Sequence, residues 1–266
     1  MTGAPHSSVK RYRELARTPT KNGHQRELLL DGAHLLFEAR ASGLAVESAA
    51  FQHDTLSDPS IRTLAEQLAA DGADVLIVSR KILESMSPVK TPSGVVGIAR
   101  RSTQTLETIT DGSQPLVPLI VVAHDVQDPG NVGSIMRTAE AAGATGFVAS
   151  TATADPLGWK ALRGSMGSAL RLPIARADIE ETLRTLRSAH VTATGLTPRG
   201  GRPLFSADFR QPIALVLGGE GPGLPDDLSR RMDQLISIPM QAPVESLNVG
   251  VAAALVLYEA FRQRQQ

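Results

Sequence analysis

PLIVVAHDVQDPGNVGSIMRTAEAAGATGFVAS (118–150) decides the fold. Its first six residues are apolar throughout and read as a strand buried on both sides. A polar loop follows, in which Pro129-Gly130 forms a turn and Asn131 stands at a helix N-cap. Val132, Ile135, Met136 and Ala139 then share one helical face, and Gly143 closes the helix. Arg137 lies off that face, in the second turn. ATGFVAS (144–150) returns as a second buried strand. Two continuously apolar strands joined through a helix form a parallel unit that must be covered on both faces.

The pattern repeats downstream. LRLPIA (170–175), HVTATGL (190–196), IALVLG (213–218) and QLISIP (234–239) read as strands, and DIEETLRTLRSA and LNVGVAAALVLYEAFRQR as helices. The fold class is α/β, a mostly parallel sheet with helices on both faces. Upstream, RELLLDG (26–32), VESAAF, DVLIVS and TPSGVVGIAR read as strands of a smaller α/β domain, with DVLIVS buried. AHLLFEARASG (33–43) and DPSIRTLAEQLAADG are its helices, the latter starting near Asp58 or Ser60 and ending before Gly72. STQTLETITDGSQP (102–115) is polar and breaks the pattern, so the linker falls there. The expected domains are 1–108 and 109–266.

Composition excludes several chemistries. The 266 residues contain no Cys, which removes disulfides, zinc-thiolate sites, iron–sulfur clusters and cysteine nucleophiles. The six His form no HxxxH or HExxH pair, so no metal is expected. The longest apolar stretch, PLVPLIVVA (115–123), is far below the ~20 residues of a membrane span. MTGAPHSSVKRYREL lacks a signal-peptide core, and a cytoplasmic protein is expected. Net charge is zero, 27 Lys plus Arg against 27 Asp plus Glu, but it is a sum of opposed patches. Residues 1–26 carry six basic groups against Glu14, residues 27–79 nine acids against Arg40 and Arg62, and residues 80–101 five basic groups against Glu84.

In parallel sheets ligands bind beyond the carboxyl ends of the strands, so the loops after them are the candidates. In the first, capping accounts for Asn131, while Arg137 reads equally as a surface group or one reaching back to the loop. The second, VLGGEGPGLPDDL (216–228), has glycines at 218, 219, 221 and 223, which let backbone approach a ligand closely. It is no dinucleotide fingerprint, because it lies in the penultimate unit and the next strand ends in Pro239-Met240 without an acid. No GKS or GKT follows, and Glu220 amid the glycines repels phosphate. In the third, SIPMQAPVESLNVGVAAALVLYEAF (237–261), Ser246 caps a helix from Leu247, with Asn248 in its first turn. Ser246 lacks a GxSxG context, so a hydrolase triad is unsupported. VGVAAALVL is apolar all round, which suggests a two-fold subunit interface.

Taken together, DPGNVGSIMRTAEAAGA, LGGEGPGL and ISIPMQAPVESLNVGVAAALVLYEA resemble the three motifs of the SpoU (TrmH-type) family of RNA ribose 2′-O-methyltransferases. The resemblance covers 118–262, in the family's order. VKRYREL, RELLLDGAHLLFEA and TPSGVVGIA resemble the family's small ribosomal-protein-like substrate-binding domain. The resemblance implies a C-terminal trefoil knot of the SPOUT type, not readable from pattern because threaded chains are nearly absent among folds. It implies that S-adenosyl-L-methionine is held mainly by backbone, at Leu196, Thr197, Gly218, Gly219, Ile238, Met240 and Leu247. The catalytic and positioning set would be Asn131, Arg137, Glu220, Ser246 and Asn248. The enzyme would be a homodimer acting on RNA, most simply ribosomal RNA. Transfer RNA is the alternative substrate, and a non-catalytic RNA-binding ribosome-assembly factor the alternative class, which the complete polar set argues against.

Lys10, Arg13 and Arg26 are the expected RNA-facing residues, with Arg163 and Ser165 of RGSMGSALRLP (163–173) meeting phosphate. With only 3% aromatics, shape and phosphate contact should outweigh base stacking. Two positions depart from the family's habit: Ala242 stands where Gly is usual, and Gly250 where Ser is usual. A positive φ at position 242 would leave its side chain strained.

Overall fold

A computed structural model describes residues 6–17, 25–111, 116–221 and 223–265. Two compact units emerge, Met1–Thr103 with Leu157–Arg171, and Gln104–Pro156 with Leu172–Gln266. The units interleave along the chain, so the expected division at 108 does not describe them.

The first unit begins with α1 (His6–Arg17), β1 (Gln25–Asp31), α2 (Ala33–Ala41), β2 (Val46–Gln52), α3 (Pro59–Ala70), β3 (Asp74–Val78), α4 (Arg80–Met86) and β4 (Val95–Ser102). Local chemistry sets the boundaries. Asp58 accepts a hydrogen bond from Ser60 N at 2.8 Å with Pro59 behind it, starting α3, and Gly72 at φ +93° follows its end. The sheet order is β1-β4-β2-β3, with β4 antiparallel to β1 and β2, and β3 parallel to β2. β3 was expected to be buried, but it is the edge, and Ile77 is 52% exposed. Tyr12 of α1 is buried against the core and donates to Ser48 Oγ at 3.0 Å.

The second unit opens with α5 (Leu106–Thr110), β5 (Leu119–Ala123), α6 (Pro129–Ala141) and β6 (Gly146–Ser150). The polar linker therefore contains a helix: Thr105 accepts from Thr108 N, and Leu106 and Ile109 join the core. The chain then lends α7 (Trp159–Ser165) and α8 (Ser168–Arg171) to the first unit. LRLPIA is corrected accordingly, since its first two residues end α8 and the strand starts at Ile174.

The rest is β7 (Ile174–Ala177), α9 (Ile179–Ser188), β8 (Thr192–Leu196), β9 (Arg202–Pro203), β10 (Ile213–Leu217), α10 (Asp226–Ser229), β11 (Gln234–Ser237) and α11 (Val249–Arg264). The strands pair in parallel in the order β7-β6-β5-β10-β8-β11-β9. Ile120, Val122, Val148 and Val216 pack with Leu106 and Ile109 of α5 and Leu183 and Leu186 of α9. The alternate residues Leu119, Val121, Leu215 and Leu217 are equally buried, so both faces are covered. The winding runs outward from β5 to β7 and then continues across β10, which makes the β5–β10 junction the topological switch point. Among the described residues no helix is long and apolar enough to cross a membrane.

Candidate active site

Three loops meet at that switch point. In the first, Asp128 rather than Asn131 caps α6, accepting from Gly130 N at 2.6 Å and Asn131 N at 3.0 Å. Pro129, which has no N–H to lose, takes the first helical position. The Asn131 side chain is thereby released for another partner.

That partner is in the second loop. Gly218 and Gly219 follow β10. A Cβ at Gly218 would overlap the Gly223 backbone, and one at Gly219 would lie 2.5 Å from Asp125 O. The close approach delivers Glu220 to the first loop, where its carboxylate accepts from Gln127 N (2.9 Å), Asp128 N (3.2 Å) and Asn131 Nδ2 (2.8 Å). Burial pushes the Glu220 carboxyl pKa up, but Asn131 and the neighbouring backbone N–H groups outweigh it and hold the group below its ordinary range. Glu220 is thus an anionic anchor that holds the first loop through three donors.

The third loop corrects a second cap. Asn248, not Ser246, starts α11, its Oδ1 accepting from Gly250 N (2.9 Å) and Val251 N (3.3 Å). Asn248 Nδ2 donates to Asn131 Oδ1 at 3.1 Å. The helix N–H groups fix which way the Asn248 amide points. That orientation turns Asn131 Oδ1 towards Asn248 and its Nδ2 towards Glu220. One directional chain therefore joins all three loops.

Beside it lies a cleft of about 330 Å³. Leu196, Thr197, Gly218, Gly219, Ile238, Met240 and Leu247 all line it, together with Glu220, Ser246 and Asn248. Leu217, Val249 and Ala252, which the sequence reading missed, complete its apolar walls. Arg137 is exposed on α6 and makes no side-chain hydrogen bond or ion pair among the described residues. Ala242 is not at positive φ, so the departure there introduces no strain.

In the first unit two expected RNA-facing residues are corrected. Arg26 is 4% exposed, on the strand face that carries Leu28 and Leu30. Ser165 is fully buried: it donates to Leu162 O and accepts from Ala169 N, holding the turn between α7 and α8. Lys10, Arg13 and Arg163 are exposed, with Lys10 near Glu14 (3.7 Å), Arg13 donating to Ser85 O and Arg163 3.8 Å from Asp31. Asp125, Gln127 and Asp128 were missed altogether, although Asp-Pro-Gly is itself a signal for an N-cap followed by a first-turn proline.

Residues 118–258 match the family model described as the SpoU rRNA Methylase family, and residues 6–97 that of the MRM3-like substrate binding domain. The chain is 32% identical to an uncharacterized tRNA/rRNA methyltransferase of Synechocystis, covering 99% of this chain and 94% of that one. It is 27% identical to the 23S rRNA (guanosine(2553)-2′-O)-methyltransferase RlmP of Bacillus subtilis, over 96% of each. A crystal structure of an AdoMet-bound rRNA methyltransferase from Sinorhizobium meliloti superposes with a TM-score of 0.83 at 30% identity, covering 98% of this chain and 97% of that one.

Proposed function

The chain belongs to the SpoU rRNA Methylase family, and we propose that it methylates the ribose 2′-hydroxyl of ribosomal RNA with S-adenosyl-L-methionine. The observation that carries this reading is the Glu220–Asn131–Asn248 chain at the lip of the glycine-lined cleft. The residues fit the cofactor. Gly218 and Gly219 bring bare backbone to the cleft, Leu196, Ile238 and Leu247 offer apolar walls for a purine, and the Glu220 carboxylate suits a cationic centre.

When bound, the cofactor supplies a methyl group already activated on sulfonium, so the chain must place and polarise the hydroxyl. Asn131, Glu220 and Asn248 lock the three loops. Ser246 presents a hydroxyl at the cleft wall. Asn131, Asn248 and Ser246 carry no basic group, the Glu220 carboxylate is taken up by its three donors, and a guanidinium does not deprotonate in proteins. We therefore assign Arg137 the task of gripping the target phosphate and polarising the 2′-oxygen, with the proton leaving to water. Arg137→Lys is expected to lower kcat about tenfold or more, because a point charge does not replace a two-pronged donor. Full activity in that variant would exclude the assignment.

The last helix supports a homodimer. Val251, Leu255 and Tyr258 are 51%, 44% and 52% exposed and share one face of α11. Leu255→Glu is expected to give monomers by sedimentation and to lose methyl transfer with them. We place the trefoil knot in the C-terminal segment, which carries the glycine loop and most of the cleft lining. Exposed Lys10, Arg13 and Arg163 of the first unit make phosphate contacts, and a cytoplasmic location goes with this reading.

Incubating the protein with labelled S-adenosylmethionine and separated RNAs, free and partly assembled, tests the whole. The expected result is a 2′-O-methyl mapped to one ribosomal RNA position. Label on transfer RNA alone would overturn the ribosomal substrate, and no label on any RNA would overturn the enzyme.

A further inference from the structure

The network described above rests on two residues with no assigned task. Asp125, two residues after β5, stands at φ +59°, the left-handed region that side chains rarely adopt and that Asp and Asn tolerate best. It is exposed, so burial does not account for it. Its N–H donates to Ser150 Oγ at 3.3 Å, and its carbonyl oxygen faces the bare α-carbon of Gly219. The turn brings its carboxylate within 2.6 Å of Gln127 Nε2. The same nitrogen reaches Ala152 O at 2.5 Å, in the loop after β6. Gln127 Nε2 is therefore engaged twice within the protein, while its backbone N–H donates to Glu220.

We propose that Asp125 and Gln127 are positioning residues for methyl transfer: they clamp the 124–128 loop so that the Gln127 and Asp128 N–H groups face Glu220. Glu220 then aims Asn131, and Asn131 meets Asn248. The clamp ties the loops after β5 and β6 to a site built otherwise on β10 and the first turns of α6 and α11. This role rests on the methyltransferase reading. A left-handed residue held by a neighbour's side chain at a switch-point loop is local strain kept for a purpose.

The test is a variant series in the full-length protein. Gln127→Ala and Asp125→Ala are expected to lower kcat about ten- to a hundredfold through misplacement of the reacting groups, with cofactor KM changed less than about threefold. Asp125→Asn is expected to stay within about threefold of wild type, because Asn tolerates the left-handed backbone and its Oδ1 still accepts from Gln127. Carbon-detected NMR supplies a readout independent of turnover: in Gln127→Ala the Glu220 carboxyl should titrate closer to the ordinary Glu range than in wild type.

Wild-type kcat in both Ala variants, or an unmoved Glu220 titration, would overturn the clamp. A loss in Asp125→Asn as large as in Asp125→Ala would overturn it too, since the charge itself would then be the essential feature. Should the wild type methylate no RNA, the enzymatic reading falls while the titration still decides the clamp.

Discussion

At the scale of single residues, Gly219 and Gly250 look alike in the sequence and differ in consequence. A Cβ on Gly219 would lie 2.5 Å from the backbone oxygen of Asp125, which cannot retreat without moving the β5 loop. On Gly250 it would meet Ser134 Oγ at 2.8 Å, the end of a short side chain that can turn away at the cost of its hydrogen bond to Asn131 O. Gly219→Ala is therefore expected to destabilise by about 1–3 kcal/mol through overpacking, and to weaken cofactor binding measured by calorimetry. Gly250→Ala should leave chemical denaturation within about 1 kcal/mol of wild type, because improved helix propensity offsets the contact. Equal losses in the two variants would contradict this.

The residue types of the site were legible in the sequence, but their partners were not. Asn131 and Asn248 stood out, yet the cap of each helix was misplaced. Asp128 with Pro129 competes better for the first, and Asn248 itself takes the second. Arg26 was misread although strand parity places it with Leu28 and Leu30, both buried. Charge counting ignored which side of the strand carried the charge.

Among the elements, α11 is tied to the segment before β10 through a network that its acid anchors. Glu259 is 8% exposed and accepts from Arg262 Nε and Nη2, both at 2.8 Å, and from Gln263 Nε2 at 2.8 Å. Gln263 also accepts from Phe209 N and donates to Ala207 O, tying the helix to the segment before β10. Arg262, then Gln263, hold the Glu259 carboxyl at about 2, well below the ordinary carboxylate range. A lowered folded-state value means stability that is present above the ordinary Glu range near pH ~4.3 and lost as pH falls towards about 2. Arg262 is 58% exposed, so solvent screening keeps the contribution of the pair small. Glu259→Gln is expected to lower the urea midpoint at pH 7 and to flatten the acid limb of the stability curve. Parallel curves for wild type and variant down to pH ~2 would show that the carboxylate contributes nothing. The strand and helix pattern of the parallel sheet was readable because buried strands are continuously apolar. The helix at 106–110 was not, since only Leu106 and Ile109 in it are apolar.

For the whole molecule, the interleaving of the units has a measurable signature. The segment 157–171 lies between β6 and β7 in sequence, yet clusters with the first unit. The chain has one tryptophan, Trp159, and it sits in this segment, packed against the core of Leu29, Val96 and Ile98. Tryptophan emission therefore reports on the first unit, although two strands of the second precede it. Leu29→Ala leaves a cavity in that core and should cost about 2–5 kcal/mol. Its unfolding midpoint in urea, read by Trp159 fluorescence, should fall in proportion. Ile120→Ala removes the same volume from the core of the second unit, under α5 and α9. If the units unfold as separate cooperative blocks, that variant should leave the fluorescence transition in place and shift only the circular dichroism of the remainder. A fluorescence midpoint that moves equally with both substitutions would instead mean that the three chain crossings between the units, at 103, 156 and 171, make their unfolding a single event. A midpoint that follows Ile120 and ignores Leu29 would place Trp159 with the second unit and contradict the division itself.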